Sequence, residues 1–310
     1  MVVTSNSLNE RPITKYLYGE LREVMKKIDK SIFKELVEIR FGIDKPLCLF
    51  FQNSLVFITK NGEFTDDYKS AFYTTKEMVE GSLQLMCENS IYAMSEKLKS
   101  GFLTLPGGHR AGICAHTVCE GGKIVSIRDI SAISIRIAHQ CIGFAEKIID
   151  EITDGKHIKN TLVISPPRCG KTTLLRDIAR LLGGGKFLFK TAIVDERSEI
   201  AAMYKGKAYN DVGFLTVVMD NCPKAEGILM LLRSMTPDVI ITDEIGGDDD
   251  VYAIRNLINA GVKIICSCHG YDEEDASRRG RLGELIKQRI FEKIIILSAR
   301  EGVGTIERVY

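Results

Sequence analysis

The sequence predicts an α/β protein in which a domain built on a mostly parallel sheet follows a smaller α+β domain. After residue 160, short apolar runs alternate with helical patterns, as in parallel strands joined by helices. Before residue 140 the pattern is mixed, and a chain of 310 residues suffices for two cores. We therefore assign residues 1–140 to an N-terminal α+β domain, 141–160 to a linker and 161–310 to the second domain.

Apolar spacing divides the N-terminal domain into helical and strand-rich segments. Residues 14–30 and 75–99 show helical periodicity, whereas residues 38–59 are rich in β-branched and aromatic side chains. Residues 101–129 are interrupted by Pro-Gly and Gly-Gly sequences, and they predict short antiparallel strands joined by turns.

The second domain shows a regular order of strands and helices. The predicted strands are 161–164, 190–195, 238–242, 262–267 and 293–297. The predicted helices are 171–182, 223–235 and 248–260. Residues 293–298 and 304–309 predict a final strand pair.

The first of these strands runs into the loop S-P-P-R-C-G-K-T, which opens a helix. This is the context of a phosphate-binding P-loop, because free N–H groups at a helix start attract anions. Lys171 would place its charge on the β- and γ-phosphates, and Thr172 would offer its hydroxyl to Mg²⁺. The residues expected to bind the nucleotide are Pro167, Arg168, Cys169, Gly170, Lys171, Thr172 and Thr173. The domain is therefore predicted to be a RecA-like P-loop NTPase domain that uses ATP and Mg²⁺.

One position departs from the usual P-loop pattern, G-x-x-x-x-G-K-[ST]. Ser165 stands where the first glycine is expected. If the backbone needs a positive φ there, a serine costs about 1 kcal/mol. We expect strain at Ser165.

Acidic residues follow two other strands. Strand 238–242 ends in Asp243, which could hold Mg²⁺, and Glu244, which could orient and partly deprotonate the attacking water. Strand 190–195 is followed by a second acidic cluster with Glu196 and Glu199, which could assist. An exposed acidic turn is the alternative, but carboxyl ends of parallel strands form the ligand crevice.

Three further residues are candidates. His269 ends strand KIICSCH and could sense the γ-phosphate, although a lone histidine can equally be structural. The negative charge of the phosphates also has to be neutralised by an arginine, which often comes from a neighbouring subunit. Arg128 and Arg136, which lie just before the domain boundary, are the candidates. Each could instead be a solvated surface residue, with Asp129 as the partner of Arg128.

Composition excludes several classes of protein. The net charge is +1, so bulk charge does not indicate a nucleic-acid or membrane binder. We see neither a signal peptide nor an apolar run of about 20 residues. Nine scattered cysteines without a C-x-x-C spacing favour reduced thiols and a cytoplasmic location.

Six segments together resemble the stage III sporulation protein AA family. They are GGHRAGIC, SIRDISAISIRIA, PPRCGKTTLLRDIARLL, IVDERSEIAA, CPKAEGILMLLRSMTPDVIITDEIG and CHG. The resemblance runs from about residue 35 to the C-terminus, and Ser165 is its clear departure.

The resemblance implies a cytoplasmic ATPase of the mother cell, similar to type II and type IV secretion ATPases. Such an enzyme would act as a homo-hexamer docked on membrane proteins of a channel between mother cell and forespore. It would be peripherally associated with the membrane through these partners. By this likeness Glu196 and Glu199 belong to an acidic box, Asp243 and Glu244 to the Walker B element, and His269 to a histidine box.

Two other functions stay open from the residues. A helicase- or recombinase-like ATPase stimulated by nucleic acid has the basic cluster Arg278–Arg281 in its favour, although we do not expect nucleic acid as a partner. A nucleotide-binding scaffold with little turnover would fit the substitution at Ser165.

Overall fold

A computed structural model describes residues 2–4, 13–88, 98–99 and 101–310. They form two compact units. One unit comprises Thr4–His139, and the other comprises Met1–Val3 with Gln140–Tyr310.

The amino-terminal unit is built on a sheet of seven antiparallel strands. The strands up to residue 136 are β1 (Val2–Thr4), β2 (Glu38–Gly42), β3 (Lys45–Pro46), β4 (Cys48–Phe50), β5 (Leu55–Ile58), β6 (Phe64–Thr65), β7 (Tyr73–Thr74), β8 (Phe102–Leu105), β9 (His109–Glu120) and β10 (Lys123–Arg136). Their order in the large sheet is β6-β5-β4-β2-β10-β9-β8, while β3 pairs with β7. The helices are α1 (Gly19–Lys26) and α2 (Lys76–Met86), with 3-10 turns at Ile13–Tyr16, Lys30–Lys34 and Tyr68–Ser70.

The helices of this unit are shorter than their periodicity predicts. Residues 14–30 form a 3-10 turn and then α1, because the chain turns at Gly19, whose φ is 59°. Helix α2 begins where Thr75 accepts a hydrogen bond from the Met78 N–H at 3.4 Å. It ends at Met86, and residues 89–97 of the predicted helix lie outside the described residues. Buried leucines and isoleucines of helices and sheet form one core.

Strands β9 and β10 are much longer than the predicted short strands, with 12 and 14 residues. They form one antiparallel hairpin with three register shifts, between Ile124 and Ala132. In β10 isoleucine recurs every third residue, at 124, 127, 130 and 133, and this spacing would alternate faces in a regular strand. The shifts pair all four with odd-numbered residues of β9, so the bulges keep them on one face.

The carboxyl-terminal unit contains a seven-stranded, mostly parallel sheet. Its strands are β11 (Gln140–Ile142), β12 (Thr161–Ser165), β13 (Thr191–Asp195), β14 (Met203–Tyr204), β15 (Lys207–Ala208), β16 (Val217–Asp220), β17 (Val239–Thr242), β18 (Lys263–His269), β19 (Lys293–Ser298) and β20 (Thr305–Val309). The order is β16-β13-β17-β18-β12-β19-β20, and only β20 is antiparallel to its neighbour. Strand β1 pairs with β11, and β14 pairs with β15.

Helices cover both faces of this sheet. They are α3 (Ile149–Ile152), α4 (Lys171–Leu182), α5 (Lys224–Ser234), α6 (Asp248–Asn259), α7 (Glu273–Ser277) and α8 (Gly280–Lys287). Successive strand residues enter opposite cores: Val163 packs with α4, and Leu162 packs on the side of α5, α6 and α8. Burial on both faces explains why the strands are continuous apolar runs.

Several elements of this unit are absent from the sequence prediction. Strand β16 is an edge strand of only four residues, and its Val217 is 39% exposed. Residues 141–160, which we expect to be a linker, place Ile149 and Ile152 in the core beside α4. Within the described ranges, no helix is both long and apolar enough to cross a membrane.

Asp177 ties the segment before β12 to helix α4. Its fully buried carboxylate accepts hydrogen bonds from the Ala145 N–H and from Arg180 Nε, both at 2.7 Å. We expect Asp177→Ala to lower the free energy of unfolding by about 3 kcal/mol, because a buried donor loses its partner. Urea denaturation measures this. The control, Asp150→Ala, removes an exposed ion pair with Lys186 and should cost less than about 0.5 kcal/mol; equal losses would contradict the prediction.

Candidate nucleotide-binding site

The P-loop connects β12 to α4. Arg168 and Gly170 have positive φ values of 62° and 90°, and Gly170 is the residue that precedes α4. The expected strain at Ser165 is wrong: this residue has a negative φ and ends β12, paired with His269 of β18. The left-handed turn falls later in the loop, so a serine at the first P-loop position is tolerated.

Lys171, the first residue of α4, points back across the loop. Its side chain is buried, and Nζ lies 3.3 Å from the Pro166 carbonyl oxygen and 3.4 Å from that of Ser165. Nζ also lies 3.1 Å from Nδ1 of His269. The ammonium therefore lies between the carboxyl end of β12 and His269 of β18, and it adds a full positive charge near the positive end of the α4 dipole.

Thr172 and Asp243 meet as the P-loop and Walker B patterns predict. The Thr172 hydroxyl donates to one oxygen of the Asp243 carboxylate, and the Ser267 hydroxyl donates to the other. Ser267 also accepts a hydrogen bond from the Glu244 N–H at 3.0 Å. In the described part of the chain no group of three His, Cys, Asp or Glu side chains could hold a metal ion. A hydroxyl beside one carboxylate does fit Mg²⁺, which keeps waters and phosphate oxygens as its other ligands.

Glu244 is held between two basic side chains. Its Oε1 lies 3.0 Å from Nε2 of His269, and its Oε2 lies 3.3 Å from Nη1 of Arg197. His269 thus bridges Glu244 and Lys171. Because the ammonium can only donate to Nδ1, a neutral imidazole that donates from Nε2 satisfies both contacts. Glu244 has a φ of 49°, a left-handed conformation, two residues after the end of β17.

The acidic cluster lines a cleft at the ends of β13 and β17. Its lining residues are Asp195, Glu196, Arg197, Glu199, Lys224, Asp243 and Glu244. Glu196 pairs with Lys224, and Glu199 is exposed. Asp195 is buried and accepts hydrogen bonds of 2.9 Å from the N–H groups of residues 199, 200 and 201. Burial raises the pKa of Asp195 to about 6, although these N–H groups lower it.

Arg176 connects this acidic loop to the P-loop helix. It is a buried residue of α4, and its Nε donates to the Ile200 carbonyl oxygen at 2.7 Å. A second guanidinium nitrogen donates to the carbonyl oxygen of Glu199. Asp195 therefore binds the N–H groups of this loop, while Arg176 binds its carbonyl oxygens.

The remaining predicted residues are placed as follows. Cys169 is buried, with Sγ 3.6 Å from the Pro167 carbonyl oxygen, and Thr173 lies in the first turn of α4. Arg128 and Arg136 belong to the amino-terminal unit. Nε of Arg128 lies 3.7 Å from Oδ2 of Asp129, and its Nη2 lies 3.4 Å from Nε2 of His116. Nε of Arg136 lies 3.9 Å from Oε2 of Glu38.

Sequence reasoning missed four residues of the site: Arg176, Arg197, Lys224 and Ser267. Ser267 gave a signal, because it is the one hydroxyl inside the apolar strand KIICSC. The others gave none, since their role depends on which loop each faces.

Comparison with known proteins places the chain in a family. The sequence profile of the family described as "Sporulation stage III, protein AA" matches residues 8–310. The chain belongs to this family. The stage III sporulation protein AA of Bacillus subtilis strain 168 is 37% identical over 301 residues, which are 96% of this chain and 94% of that relative. The resemblance drawn from the six segments is confirmed.

Solved structures confirm the P-loop fold. The ATPase DotB of Legionella pneumophila has a TM-score of 0.54 at 16% identity, covering 89% of this chain and 74% of its own. The pilus retraction motor PilT with bound ADP has the same TM-score of 0.54 and the same identity of 16%. This match covers 84% of this chain and 74% of the PilT chain. At this level of identity the likeness shows only the shared fold, which is that of the ATPase DotB and of the pilus retraction motor PilT.

The titration of Asp195 gives a test in solution. Its folded-state pKa of about 6 exceeds the ordinary value of 3.8, so the folded state binds this proton more tightly. The resulting stability is fully present below about pH 4 and is lost as pH rises through 6. Urea denaturation at each pH measures the free energy of unfolding of the protein and of Asp195→Asn. The difference between the two should fall by roughly 2 kcal/mol between pH 4 and 7. A difference that stays constant would contradict the raised pKa.

Arg176 gives a second test. Arg176→Lys keeps the charge but cannot hold two carbonyls in a fixed fork, so the acidic loop should loosen. We expect faster proteolysis within residues 196–201, measured by limited digestion and mass spectrometry. Arg180→Lys is the control in the same helix, because Arg180 pairs with Asp177 and not with the loop. The prediction fails if both variants are cleaved at the same rate.

Proposed function

We propose that the chain hydrolyses ATP with the help of Mg²⁺. The observation that carries this proposal is the meeting, at the start of α4, of Lys171, the Thr172–Asp243 pair and Glu244. A cation for phosphate, two oxygen ligands for a metal and a carboxylate for water are the parts that phosphoryl transfer needs.

Each residue then has a distinct role. The N–H groups of Gly170 to Thr173 and the Lys171 ammonium bind the β- and γ-phosphates. Thr172 and Asp243 would hold Mg²⁺, which supplies charge neutralisation when it is bound. Glu244 orients the attacking water and accepts its proton once it turns away from Arg197 and His269. Pro167, Arg168 and Cys169 shape the loop around the phosphates.

Three other residues complete this proposal. His269 contacts both Lys171 and Glu244, so binding of the γ-phosphate to Lys171 would change the contact between His269 and the Glu244 carboxylate. Glu196 and Glu199 lie on the same cleft as Glu244 and would assist in placing the water.

The family and the fold support a wider role for this hydrolysis. We propose that hydrolysis drives a secretion-ATPase-like motor, energising assembly of, or transport through, a mother-cell–forespore channel during endospore formation. The motor would be a cytoplasmic homo-hexamer of the mother cell, held at the membrane by proteins of the channel. Arg128 or Arg136 would neutralise phosphate charge in a neighbouring subunit. Membership of the sporulation family and the fold shared with DotB and PilT support this role.

The nucleic-acid alternative loses its main support. Arg278, Arg279 and Arg281 each face a carboxylate, at Glu274, Asp275 and Asp248 respectively. The basic cluster is therefore largely neutralised by neighbouring acids, and it offers little net charge to a phosphate backbone.

Steady-state phosphate release from MgATP tests the proposal. Lys171→Ala should lose ATP binding, whereas Glu244→Gln should bind ATP but lower turnover about 100-fold or more, since it removes the group that takes the proton. Glu284→Gln is the matched control, because this exposed glutamate pairs with Arg255 away from the P-loop.

Protein concentration is the second variable in this experiment. Turnover per subunit that rises with concentration supports a site shared between subunits, as the hexamer requires. Turnover by Glu244→Gln equal to that of the unchanged protein would reject the assigned chemistry. Nucleotide binding without turnover in the unchanged protein would favour the scaffold alternative.

A further inference from the structure

The sheet order gives the proposed nucleotide a direction. Lys171, His269 and Glu244 mark the γ-phosphate end, and His269 and Glu244 follow β18 and β17 on one side of β12. The neighbour of β12 on the other side is β19, which runs parallel to it. If the site binds ATP as proposed above, the nucleoside therefore leaves the P-loop over the carboxyl end of β19.

At that end lies the β19–β20 loop, residues 299–304. The loop is fixed by its own hydrogen bonds: the Thr305 hydroxyl donates to the Gly302 carbonyl oxygen at 2.8 Å and accepts from the Glu301 N–H at 3.2 Å. The Arg300 N–H donates to Ser298 Oγ at 3.0 Å. A surface loop held in this way presents a defined shape to a ligand, with little ordering left to do on binding.

This loop lies directly against the P-loop. A Cβ built on Gly170 would stand 3.5 Å from Cα of Gly304 and 3.5 Å from the ring of Phe144. A Cβ on Gly304 would approach the same ring to 2.8 Å, so only glycine fits there. Gly302 and Gly304 have φ values of 118° and 90°, which also favour glycine. Backbone without side chains thus borders the phosphate site on the β19 side.

Val303 stands between these two glycines and is 63% exposed. An exposed apolar side chain on a rigid loop, next to a phosphate site, is suited to the flat face of a base. We infer that the β19–β20 loop is the nucleoside subsite of this chain, with Val303 packed on the base and the glycine backbone beside the ribose.

This inference is tested by comparing the binding of two ligands, one with a nucleoside and one without. ADP and inorganic pyrophosphate share a diphosphate, and isothermal titration calorimetry with Mg²⁺ measures the Kd of each. Val303→Asn replaces the apolar surface with a neutral polar group of similar size. We expect the Kd for ADP to rise about fivefold while the Kd for pyrophosphate stays unchanged. Leu188→Asn is the control, since Leu188 is also exposed but precedes β13, a strand on the other side of β12 from β19.

The outcomes separate this inference from the function on which it rests. An unchanged Kd for ADP in Val303→Asn overturns the subsite while leaving phosphate binding intact. Equal rises for both ligands overturn it as well, because the effect is then not specific to the nucleoside. Lys171→Ala should weaken both ligands, because it removes the charge that they share. If the unchanged protein binds neither ligand, the proposed function and the subsite both fail.

Discussion

Parallel pairing of β12 with β18 is the constraint on which the site depends. It places Ser165 opposite His269, so both strands end at the same level of the sheet. The P-loop after β12 then turns Lys171 back to within 3.1 Å of the histidine ring. Pairing of β18 with β17 positions the acidic part of the site in the same way. Thr242 lies opposite Cys266, and the next residue, Asp243, therefore contacts Ser267. A shift of one residue in either ladder would turn these side chains to the other face.

The charged groups of the site neutralise one another in this arrangement. Lys171, His269, Glu244 and Arg197 form one chain of contacts that alternates donor and acceptor. If phosphate binds Lys171 as proposed, His269 loses one hydrogen bond and its ring then contacts Glu244 alone. Under the proposed function, His269 would then be free of Lys171, and the position of Glu244, which it contacts, would respond to phosphate. In the proposed function, these contacts would couple phosphate binding to the placement of the carboxylate.

The features that the sequence predicted correctly are those that depend on interactions between residues close together in the chain. Continuous apolar runs are the form of strands buried on both faces, and polar residues after them mark the ligand edge, so the P-loop and the positions of Asp243 and Glu244 were predictable. The long hairpin was not, because its isoleucines every third residue fit a strand only with bulges. Ser165 was misjudged for a related reason: the sequence does not say which loop residue adopts the left-handed turn, which here is Arg168.

The contacts of Arg128 and Arg136 do not tie these arginines to their present partners. Both side chains are largely exposed, and exposed ion pairs contribute only about 0–1 kcal/mol. Glu38 differs, since its side chain is only 11% exposed and it also holds Arg40 at 2.6 Å. Removing Arg136 would therefore leave Glu38 paired, so the sheet would lose little if that arginine turned to a phosphate as proposed. An arginine that acts in trans needs this property, because it must change partners at each turnover without unfolding the strand that carries it.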